Sequence, residues 1–243
     1  MIPGAAQISN DYANRPCYPE LIAIIIAGAI HISVGILVSV SVARIYNAFV
    51  SLCFLIYVVR RASTTKSVLR LWGMRRDNFW TALRFQLSFG AFAAICILGV
   101  AMVEGSFAPP KTFWLTLALY PVWGIAQQFA LQNLVARNLS GLLSHSLAIA
   151  FASAILFGLS HTPRGSLVFV SFFLGFFFTL IYQRFPNLWA VGIVHGILGT
   201  LALYFVVGED PGARILTLLF GSLPVLCEDS LLRSAIRCCK RRI

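Results

Sequence analysis

The chain has 243 residues, of which 59% are hydrophobic and only 11% charged, with a mean hydropathy of +0.84. Soluble domains carry about a quarter charged residues, so the composition excludes an ordinary soluble protein. The formal net charge of +11 would suggest a nucleic-acid ligand in a soluble chain. Here several charge-free runs reach the roughly 20 residues that span a bilayer, and the placement of the charges explains their excess.

Residues 1–20 are polar and mixed, with Pro3, Pro16 and Pro19 and no basic n-region of a signal peptide. Leu21 to Ala43 is uncharged, Arg44 interrupts, and Ile45 to Val59 follows, which predicts two spans joined by a tight turn. His31 lies inside the first, where the simplest expectation is a bond to a neighbouring backbone or hydroxyl group. Arg60 to Arg84 is a polar loop with seven Lys or Arg and one Asp, interleaved with Val68, Leu69, Leu71, Trp72, Phe79, Trp80 and Leu83. That pattern suits an amphipathic helix on anionic headgroups or one packed beneath a bundle. Five more spans are expected: 85–103, 112–136, 146–160, 165–183 and 185–208. Ile215 to Cys227 is short for a span and reads as an eighth crossing or a re-entrant segment. Residues 228–243 form a basic tail.

The expected fold class is therefore all-α, a polytopic membrane bundle of about eight helices over residues 21–227. With the N-terminus inside, the 60–84 loop, Arg137, Arg184 and the tail fall on the cytoplasmic side. Only Arg44, Lys111, Arg164 and Arg214 fall outside. The positive-inside rule predicts this skew. The net charge is then a topology signal, and the expected partners are membrane lipids, not nucleic acid. The expected location is the cell (inner) membrane, with both termini cytoplasmic. The six cysteines (Cys17, Cys53, Cys96, Cys227, Cys238, Cys239) form no CxxC pair and read as small hydrophobes or free thiols.

The fourth expected span carries four carboxamides in a charge-free stretch: Gln127, Gln128, Gln132 and Asn133. Amides in hydrocarbon need hydrogen-bond partners, so this face must turn toward protein or water. Gln128 and Gln132 share a helical face, and Gln127 lies one step round. Two later segments offer partners: Phe157-x-x-x-His161, and His195-x-x-x-Gly199 on the seventh span. Each pair spaced by four lies on one face of its helix. Gln128 is nine residues from Arg137, while His161 lies near the opposite end of its span. They meet only if the fourth helix continues past Arg137 or the fifth begins deep.

In this order the three segments resemble the CAAX-protease and bacteriocin-processing (CPBP) family of intramembrane proteases, whose pattern is EExxxR, then FxxxH, then HxxxN or a close variant. The flanks agree: Pro121 six residues before the pair, a short polar turn before FxxxH, and NLW before the last histidine. The basic stretch LRLWGMRR also looks like the segment that precedes the catalytic half in this family. The resemblance covers about residues 66–205. It implies a membrane-embedded endopeptidase in which the first glutamate and the FxxxH histidine activate water and the last histidine helps stabilise the oxyanion. The substrate would be a peptide or membrane protein.

The departures fall on the chemistry. Gln127 and Gln128 stand in place of the glutamates, Gln132 in place of the arginine, and Gly199 in place of the asparagine. A carboxamide orients water but cannot accept its proton. A neutral Gln132 suits a site without carboxylates, where an arginine would be an unpaired charge in the membrane. The candidate catalytic residues are His161, His195, Gln127 and Gln128, with Gln132, Phe157 and Gly199 lining the pocket. His161 would serve as base if its pKa lies near neutral. The alternative is a catalytically inactive relative that binds a membrane peptide or lipidated partner as a scaffold or chaperone. Without the ordered pattern, His161 would read as an interface marker. His195, inside Gly192-x-x-x-Gly196, would read as a packing histidine. No cofactor is expected, and two histidines without a third donor do not make a catalytic zinc site.

Overall fold

Helix α1 (Tyr18–Leu37) opens with Pro19 in its first turn, where a missing N–H costs nothing. It ends at Val38 and Ser39, whose extended backbone turns the chain into α2 (Val40–Thr64). The break therefore precedes Arg44 instead of falling on it, and Arg44 rides exposed on α2. The computed structural model describes residues 16–220, apart from Lys66 and Phe107. The remaining helices are α3 (Val68–Leu71), α4 (Phe79–Val103), α5 (Phe113–Phe129), α6 (Ser146–Leu159), α7 (Gly165–Arg184), α8 (Leu188–Ala202) and α9 (Pro211–Phe220). Among the described residues there is no strand. Five helices (α1, α2, α4, α7, and α8 with its continuation to Val207) are long and apolar enough to cross a membrane. The protein is an all-helical integral membrane bundle. The second half of 215–227 and the tail 228–243 lie outside the described residues.

Helix α5 does not stop at Phe129. It runs on through a π-helical stretch, Ala130–Ala136, and a last α turn, Arg137–Leu139. In the widened turn the Arg137 N–H bonds Gln132 O, one residue further back than in an α-helix. The Asn133 carbonyl this releases accepts from Arg137 Nε at 3.1 Å. The fourth helix thus continues past Arg137. A second π stretch, Leu203–Val207, prolongs α8 and stops at Gly208, whose φ of +72° favours glycine.

The 60–84 loop is not a long amphipathic helix. Helix α2 extends to Thr64, and among the described residues one turn, α3, is the only helix between Thr64 and Asn78. Trp72, fully buried, presents its carbonyl to Asn133 Nδ2 (3.3 Å) and the Tyr182 hydroxyl (3.0 Å), and its ring meets Phe129 edge-on at 4.8 Å. Asn187 caps α8 by accepting from Ala190 N (3.1 Å) and donates to Arg75 O (2.8 Å). The loop is thereby a docked floor under α5, α7 and α8. Outside the membrane, hydrogen bonding to Arg75 holds the Asp77 carboxyl down at about 2.

At the same end, Glu20 of α1, only 9% exposed, accepts from Arg137 (2.7 Å) and Asn138 (3.1 Å), and Tyr57 of α2 donates to its other oxygen. This acid sits within the first helix, not ahead of it. The α1–α2 pair is anchored to the core chiefly here. His31 joins the two helices higher up, bonding the Asn47 carboxamide oxygen at 2.9 Å instead of a backbone or hydroxyl group. Glu20→Gln keeps the shape but removes the charge facing Arg137. It is expected to cost about 1–3 kcal/mol, read as a lower thermal midpoint in detergent.

Candidate functional site

The site is set by how closely α5 and α8 cross. A Cβ on Gly124 would collide with Gly192 O and lie 2.8 Å from Gly196 N; one on Gly192 would lie 2.6 Å from Ile125 Cα, and one on Gly196 2.6 Å from Pro121 N. Only glycine permits this backbone contact, the small-residue packing read from the Gly192–Gly196 spacing. One turn beyond Gly124 along α5, the contact sets Gln127 against His195, with Gln127 Oε1 3.0 Å from His195 Nε2. Nε2 then donates to the carboxamide oxygen, and the Gln127 –NH2 remains as a donor. His195 Nδ1 is buried with no partner.

His161 lies just past the end of α6. Its Nδ1 is 2.8 Å from Phe157 O. A carbonyl only accepts, so in the neutral ring Nδ1 carries the hydrogen and Nε2 the free lone pair. Phe157 stands between the histidines, its ring 4.9 Å from His161 and 5.5 Å from His195. Gln127, His161 and His195 line one small chamber of about 30 Å³ with Tyr120, Ser171 and Gly199. That is room for a water or two. No Asp or Glu lines it. Glu209, a loop acid, is held by Arg164 (2.5 Å) and Arg214 (2.8 Å). Among the described residues no three His, Cys, Asp or Glu side chains converge as metal ligands.

Gln128 and Gln132 take a different path. Both are fully buried, and Gln132 Nε2 donates to Gln128 Oε1 (2.9 Å) and lies 3.2 Å from the Thr179 hydroxyl. The adjacent glutamines therefore split: Gln127 faces the histidines, while Gln128 belongs to a neutral amide pair one step round. Gly199 also borders the chamber, and a Cβ there would meet the Tyr120 ring at 2.9 Å. The phenol fills the space a side chain at 199 would need.

Residues 109–201 match the family model described as type II CAAX prenyl endopeptidase Rce1-like. Over these residues the chain resembles the CPBP family. No curated protein and no solved structure matches it. The matched segment contains all seven candidate residues and ends six residues after His195. The FxxxH and final histidines of this chain face one chamber, and the first glutamine of the altered pair bonds the final histidine there.

Sequence reasoning missed Tyr120, Ser171 and Thr179. Tyr120 lies two helical turns before Gln127, a spacing that places it on nearly the same face. The Phe-rich span that supplies Ser171 and Thr179 reads most simply as lipid-facing and core packing. The structure turns its few hydroxyls inward, with Thr179 fully buried and Ser171 4% exposed. A hydroxyl inside an otherwise aromatic span was the available signal.

Proposed function

We propose that the chain is a CPBP-type intramembrane endopeptidase in which His161 replaces the missing carboxylate as general base. The observation that carries this is the His161 tautomer: Nδ1 bonded to Phe157 O, leaving Nε2 to accept a proton at a water-sized chamber shared with Gln127 and His195. A water held there by the Gln127 –NH2 gives its proton to His161 Nε2 as its oxygen attacks the peptide carbonyl carbon. His161 then returns that proton to the amine as the C–N bond breaks. The Tyr120 hydroxyl and the Gln127 amide are the donors for the oxyanion. The substrate is a membrane-embedded or membrane-delivered peptide. The basic end, bearing the 60–84 loop, Arg137 and Arg184, faces the cytoplasm of the cell's inner membrane.

One observation favours the non-catalytic reading, a pocket that binds a membrane peptide or lipidated tail without cleaving it: no carboxylate lines the chamber. The two readings separate in a cleavage assay on purified protein in lipid, using fluorogenic peptides with and without a prenyl group. The wild type is expected to cleave slowly. Gln127→Glu, which puts a carboxylate beside His195 Nε2–H, is expected to raise the rate at least about tenfold toward the range of general-base catalysis. Silence of both proteins, with peptide binding retained, would replace the hydrolytic reading with the binding one.

A further inference from the structure

The histidine chamber is one of two cavities on the same seam. The other, about 160 Å³, lies at the Arg137 end of the bundle and is lined by Gln132, Ala136, Arg137, Ile149 and Tyr182 among others. Three helices run from one to the other. On α6, Ile149 lines the lower cavity and His161, just past the helix, the upper, with Ser153 and Phe157 between them at steps of four. On α5 and its continuation, Gln132 lines the lower and Gln127 the upper, with Gln128 one turn before Gln132. On α7, Tyr182 lines the lower and Ser171 the upper, with Thr179 and Gly175 between. Residues three and four apart share a helical face, so the strip joining the cavities is polar or small except at Phe157.

Four buried polar atoms on this strip have no hydrogen-bond partner: Gln132 Oε1, Gln128 Nε2, Ser153 Oγ and, at its upper end, His195 Nδ1. Buried polar groups are ordinarily satisfied, and internal water making two to four bonds is the usual means when no side chain reaches. Other such atoms, on Arg61, Trp72 and Gln86, lie off the strip. These four lie at or between the two cavities, on α5 with its continuation, α6 and α8.

We infer that a file of internal water connects the interfacial cavity at Arg137 to the His161–His195 chamber, passing Gln132, Gln128, Thr179 and Ser153. Phe157 is its narrow point. The Phe157 ring packs on Gly175, where a Cβ would lie 3.0 Å from Phe157 Cδ1. The ring also touches both histidines. The file lets water reach the chamber from the polar end of the molecule, so the chamber need not open to lipid. Its use as the water supply for cleavage rests on the hydrolytic reading; its existence does not.

The test is chemical access to a thiol on the strip. The full chain, with its native cysteines replaced by serine, is placed in liposomes carrying Ser153→Cys. Ala154→Cys serves as the control, since Ala154 is equally buried but one step off the face. Silver ion, small enough to follow a water path, is added, and the thiol left unreacted is counted afterwards with maleimide. We expect Ser153→Cys to react at least tenfold faster than Ala154→Cys, and Ala136→Phe, which fills the lower cavity, to slow it by a similar factor. Equal slow rates at 153 and 154 would show a dry strip and overturn the file. A fast reaction unaffected by Ala136→Phe would overturn its route. Thr179→Cys, on a different helix, gives a second reporter if Ser153→Cys does not fold. Because no step requires cleavage, a protein that labels but never cuts peptide retains the file and loses only the hydrolytic reading.

Discussion

His161→Ala is expected to lower peptide cleavage about 10²–10⁴-fold, the span of general acid–base catalysis, while peptide binding and the thermal midpoint change little. The separation follows from the geometry. The ring is fixed from below by the Phe157 carbonyl, so it presents Nε2 as an acceptor; alanine removes the acceptor. The ring touches the Phe157 ring and the Ser160 hydroxyl and lies beyond the end of α6. Its loss should therefore show in kcat more than in KM. His161→Gln sharpens the measurement, since it restores a polar group of similar reach but cannot take a proton. Cleavage unchanged in both variants would remove His161 from the chemistry.

The second large effect is on stability, and it separates two adjacent residues. Gln128→Glu places a carboxylate at a fully buried position whose partner is the Gln132 amide. That partner is neutral, so the new charge has no ion-pair partner in place, and the expected loss is about 3–5 kcal/mol. Adding Gln132→Arg supplies the cation four residues on, at the spacing of a helical ion pair. It should recover most of that loss. Gln127→Glu, half-buried beside a histidine donor, should be tolerated without such help. The check is a double-mutant cycle of thermal midpoints in detergent for the 128 and 132 substitutions. Equal midpoints for Gln127→Glu and Gln128→Glu would contradict the division of the pair between chamber and core. The same division explains why Gln132 accompanies the paired glutamines: once 128 is neutral, an arginine there would be the unpaired charge.

The order of the spans was legible because a bilayer imposes length and apolarity on each crossing. The boundaries were less so. Arg44 suggested a turn, but an arginine on a lipid-facing helix can extend its long side chain to the interface, and the turn fell at Val38–Ser39, where the backbone becomes extended. The 60–84 loop had the charge interleaving of a surface helix, yet Trp72 and Asn187 tie it into a floor. Those bonds join residues over a hundred positions apart, and no periodicity reports them.

Membrane class, the succession of helices and the three motif segments were determined by the sequence alone, since each depends on composition or on spacing within one helix. That Gln127 would diverge from Gln128 also follows from 3.6 residues per turn. What each faces was decided only by the tertiary structure. The partner of Gln127 is a histidine 68 residues away, brought to it by glycines that let two backbones touch. The tertiary structure also decided the π-helical continuation past Arg137. A widened turn is favoured by side chains that capture the carbonyls it releases, and those contacts exist only in the folded bundle.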